Sequence, residues 1–237
     1  MTRETIIPRP VEPLLRQLGQ LAVDLGLAAY AVGGCVRDWR MGRRGVVDLD
    51  VTVEGDGARF AQAAAERVGG ELTVHAQFGT ASLRGLPPPV RRIDVASCRK
   101  ETYSARAAYP RVKPGSLRED LFRRDFTINA MAVALAPPQF GVLVDPFGGA
   151  ADLKARRLRA LHPNSFLDDP SRILRGVRFK RRLGLRWEPK TRRWLDEAMS
   201  AGALSWLNAG RLQRELDRMR EEPDPVACFR ELAELLR

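Results

Sequence analysis

The stretch Gly45 to Glu54, reading G-V-V-D-L-D-V-T-V-E, constrains the fold of this chain more than any other. Val47, Leu49, Val51 and Val53 alternate with Asp48, Asp50 and Thr52. A period of two, bounded by Gly42 and Gly45 before and by Gly55 and Gly57 after, predicts a β-strand. Alternate strand residues share a face, so the aliphatic face must be buried and both carboxylates point the same way. Two acids held side by side repel each other unless something positive sits between them, and a divalent metal meets that need. The plain alternative is a solvated strand face. A lone D-x-D turns up by chance, so the rest of the chain has to decide.

The chain has 237 residues, 44% of them hydrophobic, enough for one large domain or two modest ones. Forty Lys+Arg against 29 Asp+Glu leave a net charge of +11. Such a balance suits a polyanionic partner, nucleic acid or a phosphorylated ligand; a generally Arg-rich proteome produces the same balance without one. Cys35, Cys98 and Cys228 lie far apart with no C-x-x-C, which argues against a disulfide framework and fits a reducing cytosol. His75 and His162 are the two histidines, too few for a His-rich zinc site. The N-terminus is polar, with Pro8, Pro10 and Pro13, and reads as carrying no signal peptide. No run approaches the roughly 18 apolar residues of a membrane span. The expected location is the cytoplasm, with no membrane partner, and oligomeric state stays open.

The spacing predicts a helix over Pro13 to Leu27 and a short strand over Ala28 to Val32. That strand runs into Gly33-Gly34-Cys35-Val36-Arg37-Asp38. Two glycines let the backbone approach a ligand, the amides after them suit a phosphate, and Arg37 can add a charge-assisted bond. A simple G-G turn is the alternative. Gly57 to Val68 reads as a helix, Glu71 to Arg84 as two short strands, and Val90 to Cys98 as a strand placing Arg92, Asp94 and Ala96 on one face. Asp94 is then a candidate third carboxylate. Arg99 to Ser116 is polar, with Tyr103, Tyr109, Pro110 and Pro114, and is expected to be a mobile loop. In R-R-D-F-T-I-N-A-M-A, Asp125 is expected to cap a following helix. Arg123 and Arg124 would then sit at a helix start, against the dipole. An anionic ligand such as a triphosphate could offset them, as could ion pairs with Glu119 and Asp120. Val142 to Asp145 reads as a strand and Ala150 to Arg157 as a helix. From Leu158 the chain reads as all-helical. On a helix beginning near Asp169, Arg172, Arg175 and Arg178 share roughly one face.

Four segments, G-G-C-V-R-D, D-L-D, R-R-D-F-T-I-N-A-M-A and D-D-P-S-R-I-L-R-G-V-R-F, occur in this order. Together they resemble the bacterial-type (class II) tRNA nucleotidyltransferases, the group of CCA-adding enzymes and related bacterial poly(A) polymerases within the polymerase-beta-like nucleotidyltransferase superfamily. The resemblance runs from about Leu14 onward. With the element pattern it implies an α/β head, a small mixed β-sheet flanked by helices (residues 1–157), followed by an all-α neck and partial body (158–237).

The resemblance implies transfer of CMP or AMP from CTP or ATP to a tRNA 3′ end, with pyrophosphate leaving and two Mg2+ ions assisting. Asp48 and Asp50 match the metal-binding pair, with Asp94 the third catalytic carboxylate. Gly33, Gly34 and Arg37 match the phosphate-side motif, and Arg123, Arg124, Asp125 and Asn129 the motif that contacts ribose and triphosphate. Asp168, Asp169 and Arg172, with Arg175 and Arg178 beyond them, match the base-reading segment, where Asp168 stands in place of a Glu. Cytosine and adenine both present an amine donor beside a ring-nitrogen acceptor, which a carboxylate and an arginine can read together. Members of the family usually run on into further helical domains, so the chain is expected to be either a fragment or a compact enzyme. The segment from Arg99 to Val112 resembles the full-length loop, which favours CCA or A addition over CC addition. The alternatives are A-only or poly(A) addition, an inactive RNA-binding relative, and a small-molecule nucleotidyltransferase.

Overall fold

The computed structural model describes residues 6–45, 48–75, 79–103, 106–108 and 110–237. Val47 and Tyr109, cited above, lie outside them. The chain divides into two compact units. Unit 1 comprises Met1–Lys100, Lys113–Arg124 and Asn129–Ala150; unit 2 comprises Glu101–Val112, Asp125–Ile128 and Ala151–Arg237. The boundary therefore falls near 150, and two short inner segments group with the C-terminal part.

The elements of the first part are α1 (Glu12–Asp24), β1 (Ala28–Val32), α2 (Gly34–Arg40), β2 (Asp48–Glu54), α3 (Gly57–Val68), β3 (Glu71–His75), β4 (Thr80–Arg84) and β5 (Arg92–Ser97). They continue with β6 (Arg99–Thr102), β7 (Arg111–Pro114), α4 (Leu117–Phe122), β8 (Ala132–Ala134), β9 (Leu143–Val144) and α5 (Gly149–Lys154). Seven strands form one mixed sheet in the order β3-β4-β5-β2-β1-β8-β9. The β2–β5 pair is parallel and the other pairs are antiparallel. Helices α1 and α3 pack on this sheet.

The alternation in β2 explains its placement. Leu49, Val51 and Val53 are fully buried while Asp48 and Asp50 stay exposed. Each buried aliphatic contributes roughly 1.5–3 kcal/mol. A one-residue slip would expose all three and bury the carboxylates, so the register is strongly set. Leu15, Leu18 and Leu21 of α1 and Phe60, Ala61 and Ala64 of α3 are buried with them. Helix α3 starts where the Asp56 carboxylate accepts from the Ala58 and Arg59 amides, both at 3.0 Å.

The structure departs from the sequence expectations in two places. Arg99 to Ser116 is not a loop throughout: β6 and β7 form a two-stranded ribbon. No helix follows Asp125. Thr127–Asn129 is a single 3-10 turn, and β8 comes next. The helix lies before the arginines instead. Ser116 and Glu119 form a capping box at the start of α4, and Arg123 is its C-cap. A cation at a helix C-terminus suits the dipole, so the clash expected for Arg123 and Arg124 does not arise.

Unit 2 contains β10 (Arg157–Leu158), α6 (Ser165–Asp168), α7 (Ser171–Leu183), β11 (Arg186–Trp187), α8 (Pro189–Ser200), α9 (Ala209–Arg220) and α10 (Pro225–Leu235). From Ala151 onward its regular elements are helical apart from the short parallel pair β10–β11. Helix α7 runs through its centre: Ile173 and Phe179 join one apolar cluster with Phe126, Ile128 and Phe166, while Leu174 and Val177 join another with Met219 and Cys228. Among the described residues no helix is long and apolar enough to cross a membrane.

Candidate active site

In unit 1 the site grows from the turn between β1 and α2. Gly33 has φ +74°, a conformation that favours glycine. A Cβ there would stand 2.8 Å from Arg124 Nη1 and 3.8 Å from Asp50 Oδ2. The glycine thus lets Arg124 come close to the backbone beside Asp50. Arg37, almost fully buried, donates to Asn129 Oδ1 at 2.6 Å and forks onto both oxygens of Asp38 at 3.0 and 3.1 Å. These bonds tie the glycine turn to the R-R-D-F-T-I-N motif through Asn129, a structural engagement that the sequence motif alone did not predict.

Arg123 and Arg124 share one acid. Asp120 is fully buried; its Oδ1 accepts from Arg123 at 2.8 and 2.9 Å, and its Oδ2 accepts from Arg124 at 3.0 Å. Burial alone would raise the Asp120 carboxyl, but Arg124 and then Arg123 outweigh it, and its pKa is lowered. Of the two ways of offsetting the arginines, the ion pair with Asp120 is present. The signal for it was the i, i+3, i+4 spacing in D-L-F-R-R.

Parallel pairing of β2 with β5 sets Asp48 beside Arg92 and Asp50 beside Asp94. Arg92 Nη2 lies 3.2 Å from Asp48 Oδ2 and Arg92 Nε lies 3.1 Å from Asp94 Oδ2. Ser82 on β4 donates to Asp94 Oδ1 at 2.6 Å. The Asp50 carboxyl is raised: desolvation by the surrounding protein is the largest cause, Arg124 opposes it, and Asp94 and Asp48 add to it. A cleft of about 370 Å³ opens here, with Asp48, Asp50, Arg92, Gly34 and Trp39 in its wall.

Magnesium takes one or two carboxylates and completes its shell with waters and substrate phosphates. Asp48 and Asp50, exposed on one face with Asp94 alongside, supply hard oxygen donors of that kind. Among the described residues, no three Asp, Glu, His or Cys side chains gather into a preformed cage.

Unit 2 carries the second group. Asp169 lies between α6 and α7, and its Oδ1 accepts from Ser171 N at 3.0 Å, Ser171 Oγ at 2.6 Å and Arg211 Nη2 at 2.5 Å. Arg172 is buried and donates to Ser165 Oγ at 2.8 Å. Both members of the predicted reading pair are thus held by protein. Asp168 is partly exposed and its carboxyl is raised, mainly by desolvation. His162 Nδ1 stands 4.0 Å from Asp168 Oδ2, and burial, then Arg172, pushes the imidazole down to about 4.

The remaining predicted arginines are engaged internally. Arg175 forks onto Asp125 Oδ2 at 2.5 and 2.9 Å. Arg178 bonds Glu215 and Glu222, each at 2.9 Å, with only 11% of its side chain exposed. It fastens α7 to α9 and to the turn beyond it. Sequence reasoning offered Asp120 as an ion-pair partner and placed Arg92 on the face of Asp94 without a role; it missed Arg211. Arg92 was legible from the strand alternation; Arg211 lies 42 residues from Asp169 and left no local signal.

The model of the poly(A) polymerase head domain family matches residues 29–159. The chain is 44% identical to an A-adding tRNA nucleotidyltransferase of Geobacter sulfurreducens, covering 94% of this chain and 25% of the relative. It is 41% identical to an A-adding tRNA nucleotidyltransferase of Halalkalibacterium halodurans, covering 94% and 52%. A CC-adding tRNA nucleotidyltransferase of Deinococcus radiodurans is 35% identical, over 85% of this chain and 52% of the relative. A solved apo structure of a CCA-adding enzyme superposes with a TM-score of 0.89 at 41% identity, covering 95% of this chain and 52% of that one. The chain thus spans a quarter to a half of the length of these relatives. On these matches the chain belongs to the tRNA nucleotidyltransferase and poly(A) polymerase family.

Proposed function

We propose that this chain transfers AMP from ATP to the 3′ end of a tRNA that ends in CC, with release of pyrophosphate. The observation that carries the chemistry is the open face of β2, where Asp48 and Asp50 stand side by side with Asp94 in register. Unit 1 is the catalytic head and unit 2 the neck. The tRNA 3′-oxygen attacks the α-phosphorus, the bond to pyrophosphate breaks, and the hydroxyl proton leaves. Asp48 and Asp50 would hold two magnesium ions, with Asp94 beside them. Such ions, when bound, lower the pKa of the attacking hydroxyl and neutralise triphosphate charge. Gly33 and Gly34 admit the phosphates close to the backbone, and Arg124, fixed by Asp120, offsets their charge. Asp169 accepts from the adenine amine and Arg172 donates to the ring nitrogen, a pattern that guanine and uracil reverse.

The choice of A addition rests on the higher identity to A-adding relatives than to the CC-adding one. Full CCA addition is the second reading, favoured by the likeness to a CCA-adding structure. Three tRNA substrates, ending before CCA, after C and after CC, separate the two when offered with labelled CTP or ATP and magnesium. We expect ATP incorporation on the CC-ended tRNA and no CTP incorporation on any. CTP incorporation on the two shorter substrates would establish the second reading.

A further inference from the structure

Arg92 stands between Asp48 and Asp94 on the carboxylate face of β2 and β5. The strand register puts it there: Arg92 pairs with Asp48 across β2–β5, and Asp94 follows two residues on, on the same face. Its guanidinium contacts one oxygen of Asp48 and one of Asp94, at 3.2 and 3.1 Å. Asp94 is also steadied by the Ser82 hydroxyl on β4. A guanidinium keeps its charge at every accessible pH, so this bridge relieves the repulsion among Asp48, Asp50 and Asp94 with no ion bound. The oxygens it uses are among those a divalent cation would take, and a hard cation and a guanidinium cannot share them at full strength. The Arg92 side chain is 38% exposed, so its guanidinium is not locked in the core.

We propose that Arg92 is the internal counter-ion of the carboxylate face, holding Asp48 and Asp94 until a divalent cation displaces it. The proposal rests on the reading of Asp48 and Asp50 as the metal-holding pair. Metal binding then carries the cost of releasing the guanidinium. A triphosphate lowers that cost twice over, because its oxygens complete the shell of the ion and offer the freed guanidinium a new partner in the cleft. Metal and nucleotide binding are coupled as a result. Arg92 is a positioning residue in this scheme, acting on the carboxylates rather than on the reacting atoms.

The test is Mn2+ binding to the full chain, followed by electron paramagnetic resonance, with and without a non-hydrolysable ATP analogue. In Arg92→Gln the Mn2+ dissociation constant without nucleotide should fall about fivefold, the scale of one unit charge removed at contact distance in water. The gain in Mn2+ affinity on adding the analogue should shrink in the same variant. Arg92→Lys, which keeps the charge and loses the fork, should tighten Mn2+ binding about twofold and serves if the glutamine variant does not fold. Equal or weaker Mn2+ binding in Arg92→Gln, with uptake abolished by Asp50→Asn, would overturn the counter-ion role alone. Failure of the unaltered chain to take up Mn2+ would overturn the metal-site reading and this inference with it.

Discussion

Asp120 is the residue on which the arginine motif depends. It is fully buried, and two guanidiniums, each 19% exposed, close on its two oxygens. Removing one side of a buried ion pair costs about 3–5 kcal/mol, because the partner charges stay desolvated. Asp120→Asn should therefore destabilise the chain by about 3 kcal/mol at pH 7, measured by urea unfolding. The folded carboxyl lies below its unfolded value of about 3.9, so its stabilisation is complete above that pH. It is lost as pH falls through the lower folded value. The gap between the unaltered chain and Asp120→Asn should narrow on acidification below about pH 4. An unchanged gap would mean that the carboxylate charge is not what matters. At this scale the sequence was a fair guide where partners are close in the chain, as with Asp120 and the two arginines. It was silent for Arg37 with Asn129, 92 residues apart, and for Arg178 with Glu215, 37 apart, because only the fold brings these together.

At the scale of elements, Gly176 in α7 sets two preferences against each other. Alanine would gain up to about 1 kcal/mol of helix propensity at an interior position. Its Cβ would meet the Trp187 ring at 2.2 Å and Phe126 at 2.9 Å. Overpacking a well-filled core costs about 1–3 kcal/mol, and more where aromatic rings cannot yield. Gly176→Ala should therefore lower the melting temperature, by several degrees, in a thermal scan; a rise would mean that propensity wins. Most elements were legible because their periodicity is set by one buried face: β1 and α3 fall on the expected residues, and α1, β2, β4 and β5 within a few. Strand β8 was mistaken for a helix because Ala132, Val133 and Ala134 are all buried between β1 and β9. A strand covered on both faces shows no alternation, and a short apolar run does not tell strand from helix. The β6–β7 ribbon failed for the opposite reason. Most of its residues face solvent, so no apolar pattern marks it.

The whole molecule carries a net charge of +11, and the proposed partner is a polyanion. Binding of tRNA should weaken steeply with salt, the logarithm of affinity falling linearly with the logarithm of salt concentration. Filter binding between 50 and 200 mM salt should show a loss of at least tenfold, on the order expected for several phosphate contacts; a flat response would remove the basic residues from the RNA surface. The division into two units was only partly legible. The change in composition near Leu158 marks the helical part, while Glu101–Val112 and Asp125–Ile128 join it by tertiary contact alone. In the proposed reaction the open face of β2 does the chemistry. Single-turnover incorporation of labelled AMP into a CC-ended tRNA, by Asp48→Ala and Asp50→Asn, tests it most directly, with tRNA affinity measured alongside. Each variant should lose at least about 10³-fold in rate, several kcal/mol of transition-state stabilisation, while binding tRNA within about twofold of the unaltered chain. Near-normal incorporation by either variant would contradict that role of β2.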